Sequence, residues 1–127
     1  MNDRRLEGAK VLILEDEYFI ADDLARALHS VGAKTIGPAA TIEQAKLLLA
    51  EQPVDAAILD LNLCGDMAIE LVEELCTPGF PCVIVSGYGR ESLPESLSNI
   101  PSLEKPVRYE KVVATLAGEL GRASAPA

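Results

Sequence analysis

The chain has 127 residues, of which 49% are hydrophobic, and its 11 basic and 20 acidic side chains give a net charge of −9. This length and hydrophobic content predict one globular domain whose core needs no disulfide or metal ion to hold it together. The acidic balance argues against direct binding to nucleic acid or to an anionic membrane surface, because both require basic side chains.

In chain order, the first half of the sequence alternates predicted strands and helices. Residues 10–14 form an unbroken apolar run, which is typical of a strand buried on both faces, and an amphipathic helix follows as far as Gly32. A short strand at 35–37, closed by Pro38, precedes a second helix that begins with the capping-box sequence Thr41-Ile42-Glu43-Gln44. The central strand, 56–59, leads to a third helix that we expect Asp66 to cap.

The second half contains the most irregular stretch. A further apolar run at 81–86 predicts another buried strand. Pro94 and several serines interrupt residues 91–99, so a fourth helix there is expected to be short or poorly ordered. A brief strand at 102–104 and a final helix complete an α/β fold, (βα)5, with a doubly wound five-stranded parallel sheet. We predict a flexible N-terminus at 1–8, one domain at 9–121 and a flexible tail at 122–127.

Other features of the sequence argue against a membrane span, a signal peptide and a framework of disulfides. No apolar run approaches the ~18 residues of a membrane span. The charged first residues are unlike a signal peptide, so we expect a cytoplasmic protein. The three cysteines, Cys64, Cys76 and Cys82, form no Cys-x-x-Cys pair and are interpreted as reduced apolar residues.

Reactive side chains follow four of the five predicted strands. Glu15 and Asp16 follow the first strand, Asp60 the third, Ser86 ends the fourth, and Lys105 follows the fifth. Because the carboxyl ends of parallel strands meet at one edge of a sheet, we expect these residues to lie close together. Each one alone is commonly a solvated loop residue, a helix cap or part of a turn. Their coincidence at one edge favours a functional site.

The chemistry of this set favours phosphoryl transfer with a divalent cation. Clustered carboxylates repel one another unless a proton or a cation is shared, and oxygen ligands suit Mg²⁺ and Ca²⁺, of which Mg²⁺ usually takes few protein carboxylates and keeps positions for water and phosphate oxygens. His29 as the only histidine disfavours zinc. Asp60 is then the candidate nucleophile, Lys105 a fixed positive charge and Ser86 a hydroxyl donor. Gly87 leaves room for a phosphoryl group. No ATP-binding phosphate loop is present, so the phosphoryl group must come from another molecule.

Four segments resemble those of the receiver domains of two-component response regulators: Leu14-Glu15-Asp16-Glu17, Leu59-Asp60-Leu61-Asn62, Val85-Ser86-Gly87 and Glu104-Lys105-Pro106. The resemblance covers about residues 9–120 and implies the flavodoxin-like strand order 2-1-3-4-5. It implies that Asp60 accepts a phosphoryl group from a phosphohistidine on a sensor histidine kinase or a phosphotransfer protein.

The resemblance also implies roles for the surrounding residues. Asp16 and Asp60 would ligate Mg²⁺, with Glu15 acting directly or through water and the backbone carbonyl of Asn62 as a further ligand. Ser86, Gly87 and Lys105 would bind the phosphoryl group. The bond between Lys105 and Pro106 would be cis.

Two departures from the family pattern concern the residues that would move on phosphorylation. Ser102 stands three residues before the lysine, where the family usually carries tyrosine or phenylalanine. The stretch Val85-Ser86-Gly87-Tyr88-Gly89 is similar to a receiver subgroup with a Phe-Ala-Thr-Gly-Tyr motif. One hypothesis is that Tyr88 and the segment 90–99 replace the missing aromatic as the moving part. The alternative is that Tyr88 is a half-buried loop residue.

The leading interpretation is a stand-alone phosphoacceptor switch and not an enzyme, beyond self-catalysed phosphoryl transfer and autodephosphorylation. Few residues follow Pro106, so we expect no output domain and a monomer or weak homodimer. Phosphorylation would alter the 87–104 surface and act on a downstream protein through the fourth helix, fifth strand and fifth helix. A phosphate sink, a relay intermediate and a phosphorylation-independent interaction module stay open as alternatives. A phosphatase would need an acidic residue where Asn62 stands, and a flavin-binding relative would need phosphate-binding loops.

Overall fold

Strands and helices alternate along the backbone, and the structure, a computed structural model, describes residues 5–87 and 89–124. In chain order the elements are β1 (Lys10–Leu14), α1 (Tyr18–Ser30), β2 (Lys34–Ala39), α2 (Ile42–Glu51), β3 (Ala56–Leu59), β4 (Asn62–Leu63), β5 (Asp66–Met67), α3 (Ile69–Leu75), β6 (Cys82–Ser86), β7 (Ser102–Glu104) and α4 (Tyr109–Ser124). No helix among the described residues is long and apolar enough to cross a membrane.

The five longer strands form one parallel sheet in the order β2-β1-β3-β6-β7. The strands β4 and β5 are a separate two-residue antiparallel hairpin, so the main sheet has the predicted order 2-1-3-4-5. The predicted doubly wound α/β fold is confirmed. This topology brings the carboxyl ends of β1, β3, β6 and β7 to one edge of the sheet.

Two apolar clusters cover the two faces of the sheet. In β1, Val11 and Ile13 face the cluster that includes α1 and α4, whereas Leu12 and Leu14 face the cluster that includes α2 and α3. Side chains alternate between the faces of a strand, so covering both faces requires an unbroken apolar run. This is the physical basis of the runs in β1, β3 and β6.

Local sequence signals explain where some elements begin and why others differ from prediction. Thr41 caps α2 as predicted, because its side chain accepts a hydrogen bond from the Gln44 backbone N–H at 3.1 Å. Asp66 does not cap the third helix. It lies in β5, and α3 begins after Ala68. The strand β2 continues through Pro38 to Ala39, which is tolerated because β2 is an edge strand.

The segment expected to hold a fourth helix contains no α-helix. It forms two short 3₁₀ turns, Arg90–Ser92 and Glu95–Leu97. Pro94 separates them because its ring removes a backbone N–H and disfavours helical geometry in the preceding residue. Leu97 is fully buried and anchors the segment to the core. The predicted output surface therefore consists of these turns, β7 and α4.

The ends of the predicted domain need correction. Leu6 lies in the segment predicted to be a flexible N-terminus, but its side chain is fully buried in the core with α1 and α4. The helix α4 continues to Ser124, beyond the predicted boundary at residue 121. The rest of the predicted tail, 125–127, and residues 1–4 lie outside the described residues.

The interpretation of all three cysteines as reduced is wrong for two of them. The sulfur atoms of Cys76 and Cys82 lie in bonding contact as a disulfide, with Cα atoms 6.4 Å apart. The disulfide joins Cys76, directly after α3, to Cys82, the first residue of β6. The turn between these two elements brings the cysteines together. Cys64 is free and exposed.

Candidate functional site

The strand-end residues meet at the carboxyl edge of the sheet, as the topology predicts. Backbone hydrogen bonds continue past the strands and fix this edge: Asp60 N–H donates to Leu14 O at 2.9 Å, and Lys105 N–H donates to Ser86 O at 2.8 Å. A cleft of about 320 Å³ opens there. Its wall consists of Asp16, Glu17, Asp60, Asn62, Cys64, Gly65, Gly87 and Lys105.

Charged groups are buried at this edge. Among the described residues, the buried polar or charged side chains are Glu15, Asp60 and Ser86, and they are 4%, 5% and 0% exposed. A buried carboxylate is costly unless it is paired, so their concentration at one place indicates a function other than packing.

Lys105 links the two buried carboxylates. Its Nζ lies 2.8 Å from Glu15 Oε1 and 3.0 Å from Asp60 Oδ2. Burial alone would lower the pKa of the Lys105 ammonium, but the hydrogen bonds and charges of Glu15 and Asp60 outweigh it and raise the pKa. Lys105 therefore stays positively charged beside Asp60.

Glu15 is the most strongly perturbed acid of the site. Burial raises the pKa of its carboxyl to about 7, and the hydrogen bond from Lys105 opposes only part of this rise. The negative charge of Asp60 also contributes to this raised pKa. Glu15 is therefore partly protonated near neutral pH, and a cation placed beside it would favour the charged form.

Asp60 is held through both of its carboxylate oxygens. Oδ1 accepts the backbone N–H of Asn62 at 3.1 Å, and Oδ2 accepts Lys105 Nζ at 3.0 Å. The Asn62 side chain is used differently, since its Oδ1 accepts the Gly65 N–H at 2.8 Å and closes the β4–β5 hairpin. The carboxylate of Asp60 is thus oriented at the wall of an open cleft.

Asp16 is held by a residue that the sequence did not single out. Cys64 donates both its backbone N–H and its thiol to Asp16 Oδ2, each at 2.9 Å. Burial raises the pKa of Asp16, but the hydrogen bonds from Cys64 and Glu15 outweigh it, so the net pKa is lowered. Only the Cys64-Gly65 pair soon after the central strand could have indicated a turn beside the site.

The acidic cluster fits a hard divalent cation. Glu15, Asp16 and Asp60 each offer a carboxylate oxygen, and these oxygens all lie within 4.8 Å of one another. Lys105 is the only base described in contact with them, so their combined negative charge exceeds the positive charge. An all-oxygen set with excess negative charge suits Mg²⁺ better than zinc or copper.

The other predicted site residues have different surroundings. Ser86 is fully buried at the end of β6 and is not part of the cleft wall, whereas Gly87 is, and a Cβ there would meet nothing within 4 Å. The Lys105–Pro106 peptide bond is cis. Ser102 is half-buried in β7, opposite Ile84. The predicted signalling residue Tyr88 lies outside the described residues.

Two exposed aromatic residues directly follow the cleft residue Glu17 in the chain. Tyr18 and Phe19 follow Glu17 at the start of α1, and their side chains are 72% and 80% exposed. Their rings contact each other edge to face, with centroids 5.5 Å apart. Large exposed aromatics beside a cleft are typical of a surface that binds another protein.

Comparisons with known proteins agree with this geometry. The family model described as response regulator receiver domain matches residues 11–117. A putative NtrX-like response regulator of Rickettsia bellii (strain RML369-C) is 34% identical over an alignment of 113 residues that covers 84% of this chain. The matched chain spans only 23% of the length of that relative.

Solved structures give a similar result. The receiver (REC) domain of the PhyR response regulator of Erythrobacter litoralis is 28% identical with a TM-score of 0.80, and the match covers 95% of this chain and 96% of that one. SdrG of Sphingomonas melonis Fr1 is 30% identical with a TM-score of 0.71, covering 86% of this chain and 96% of that one.

Proposed function

Since the chain belongs to the family of response regulator receiver domains, we propose that Asp60 is the phosphoacceptor of a signalling switch. The observation that carries this proposal is the state of Asp60 itself. Its carboxylate is 5% exposed, fixed through both oxygens and placed at the wall of an open cleft beside a charged lysine. A purely structural buried acid has no need of such a cleft.

The donor in this proposal is a phosphohistidine on a sensor histidine kinase or a phosphotransfer protein. An oxygen of Asp60 attacks phosphorus, the new P–O bond forms as the P–N bond breaks, and the imidazole nitrogen keeps the electron pair and takes a proton. Lys105 contributes a fixed positive charge next to the acceptor, at 3.0 Å from Oδ2. Gly87 leaves open space for the phosphoryl group.

Mg²⁺ would be held by Glu15, Asp16 and Asp60, with the backbone carbonyl of Asn62 as a further ligand. Bound there, it would supply positive charge to the transferring phosphoryl oxygens. The chain itself holds the acceptor in place: the Asn62 N–H and Lys105 fix the Asp60 carboxylate before the donor arrives.

The donor protein is proposed to dock against α1. Tyr18 and Phe19 lie directly after the residues that line the cleft, and both are largely exposed. A partner that places its phosphohistidine in the cleft would cover them. Exposed aromatics at the centre of a contact supply much of its binding energy.

The output is proposed to come from the surface at 87–104. Lys105 and Ser86 are joined by a backbone hydrogen bond at 2.8 Å, so a change at the phosphoryl site reaches β6 and β7 directly. The 3₁₀ turns between these strands hold fewer backbone hydrogen bonds than an α-helix, which makes a rearrangement less costly. Phosphorylation would thereby alter the binding of a downstream protein.

Two experiments test these proposals. Incubation with Mg²⁺ and a small phosphodonor, followed by intact mass measurement, should add one phosphoryl group to the wild type and none to Asp60→Asn. Asp55→Asn, at an exposed position directly before β3, is the matched control and should be phosphorylated normally. NMR spectra with and without beryllofluoride should differ at 87–104. Changes confined to the cleft would contradict the proposed switch.

A further inference from the structure

The β4–β5 hairpin places Cys64 against the carboxylate of Asp16. The Cys64 backbone N–H donates to Asp16 Oδ2 at 2.9 Å, and the Cys64 thiol donates to the same oxygen at 2.9 Å. Two donors from one residue therefore converge on one oxygen of a carboxylate in the candidate cation site.

Backbone geometry explains how Cys64 reaches Asp16. Leu63 pairs with Asp66, so Cys64 and Gly65 are the two residues of the hairpin turn. Both have positive φ, 52° and 92°, as in the type I′ turns that favour two-residue hairpins. Holding a residue with a Cβ in this region costs on the order of 1 kcal/mol. Glycine or asparagine would fit the turn with less strain, but neither carries a thiol.

The hairpin is held firmly, although Cys64 itself is exposed. The Gly65 N–H donates to Asn62 Oδ1 at 2.8 Å, and the Ala68 N–H donates to Leu61 O at 2.7 Å. Leu63 is buried in the core. These contacts fix the position from which Cys64 donates.

We propose that Cys64 is a positioning residue for the cation site, whose N–H and S–H hold the Asp16 carboxylate in the orientation that cation binding requires. The inference rests on the proposed function, because it concerns the same site. Glu15 and Asp60 are buried and bonded to Lys105, whereas Asp16 is only half-buried. A carboxylate that is already oriented loses less freedom when it binds a cation, and hydrogen-bonding partners of metal ligands act in this way.

Magnesium binding measured by isothermal titration calorimetry, without any phosphodonor, tests this role. Cys64→Ala keeps the backbone N–H and removes the thiol, and Mg²⁺ affinity is expected to fall about threefold to tenfold. Cys64→Ser restores a side-chain donor and is expected to bind within about twofold of the wild type. Met67→Ala, an exposed change in the same hairpin, is the matched control and should leave affinity unchanged.

Several outcomes would overturn the inference. Equal or tighter Mg²⁺ binding by Cys64→Ala would show that the thiol has no positioning role. Equal losses in Cys64→Ala and Cys64→Ser would show that the sulfur acts by packing. A wild type that binds no Mg²⁺ would overturn the proposed cation site and this inference together, whereas normal binding by both wild type and Cys64→Ala overturns the inference alone.

Discussion

Replacing Glu15 with glutamine is expected to remove a large pH dependence from the stability of the magnesium-free protein. Burial raises the pKa of the Glu15 carboxyl from 4.5 to about 7. Because this pKa is higher in the folded than in the unfolded chain, Glu15 contributes full stabilisation below pH 4.5 and loses it as pH rises through about 7. The difference between the two pKa values corresponds to about 3 kcal/mol in the free energy of unfolding.

Urea unfolding followed by circular dichroism at several pH values, with a chelator present, measures this effect. Glutamine mimics the protonated carboxyl, so Glu15→Gln should gain stability relative to the wild type by up to about 3 kcal/mol as pH rises from about 5 to 8. Glu43→Gln, at an exposed position on α2, is the control and should show a constant difference over that range. A constant difference for Glu15→Gln as well would show that folding does not raise the pKa of the Glu15 carboxyl. Adding Mg²⁺ at the upper end should restore wild-type stability, because the cation binds only the folded chain.

Three further changes probe the core, a helix cap and the donor surface. Leu97→Ala should lower the free energy of unfolding by about 3 kcal/mol, because it empties a fully buried position, and urea unfolding measures the loss. Thr41→Ala should cost about 1 kcal/mol by the same assay, since it removes the α2 cap. Phe19→Ala should slow transfer from the phosphohistidine donor about tenfold without changing phosphorylation by a small phosphodonor. Leu47→Ala, at an exposed position on α2, is the control for Leu97→Ala and for Phe19→Ala. An equal loss of stability or an equal slowing of phosphoryl transfer in Leu47→Ala would contradict the corresponding prediction.

The central elements of the fold could be predicted because burial constrains their sequences. Each of β1, β3 and β6 lies between two other strands with both faces covered, so only an unbroken apolar run fits. The edge strand β2 was predicted too short, because an edge tolerates Pro38. Any helix within 91–99 was correctly expected to be short or poorly ordered, and the segment forms two 3₁₀ turns because Pro94 disfavours an α-helix there.

The candidate site was predictable only where it depends on topology. The meeting of Glu15, Asp60 and Lys105 follows from parallel strands that end at one edge. The contact between Cys64 and Asp16 depends on a two-residue turn with positive φ, and the spacing of residues in the sequence does not encode that geometry. The disulfide was missed for the same reason, because the turn between α3 and β6 brings its cysteines together.

Locating the phosphoryl group on the chain tests whether Asp60 is the phosphoacceptor. The wild-type protein would be phosphorylated with a small phosphodonor and Mg²⁺, reduced with borohydride, which converts an aspartyl phosphate into homoserine, and digested for peptide mass mapping. We expect homoserine at position 60, and no conversion when the cation is removed by a chelator. Homoserine at Asp16 or at another acidic residue, or no conversion in the presence of Mg²⁺, would contradict the assignment of Asp60 as the phosphoacceptor.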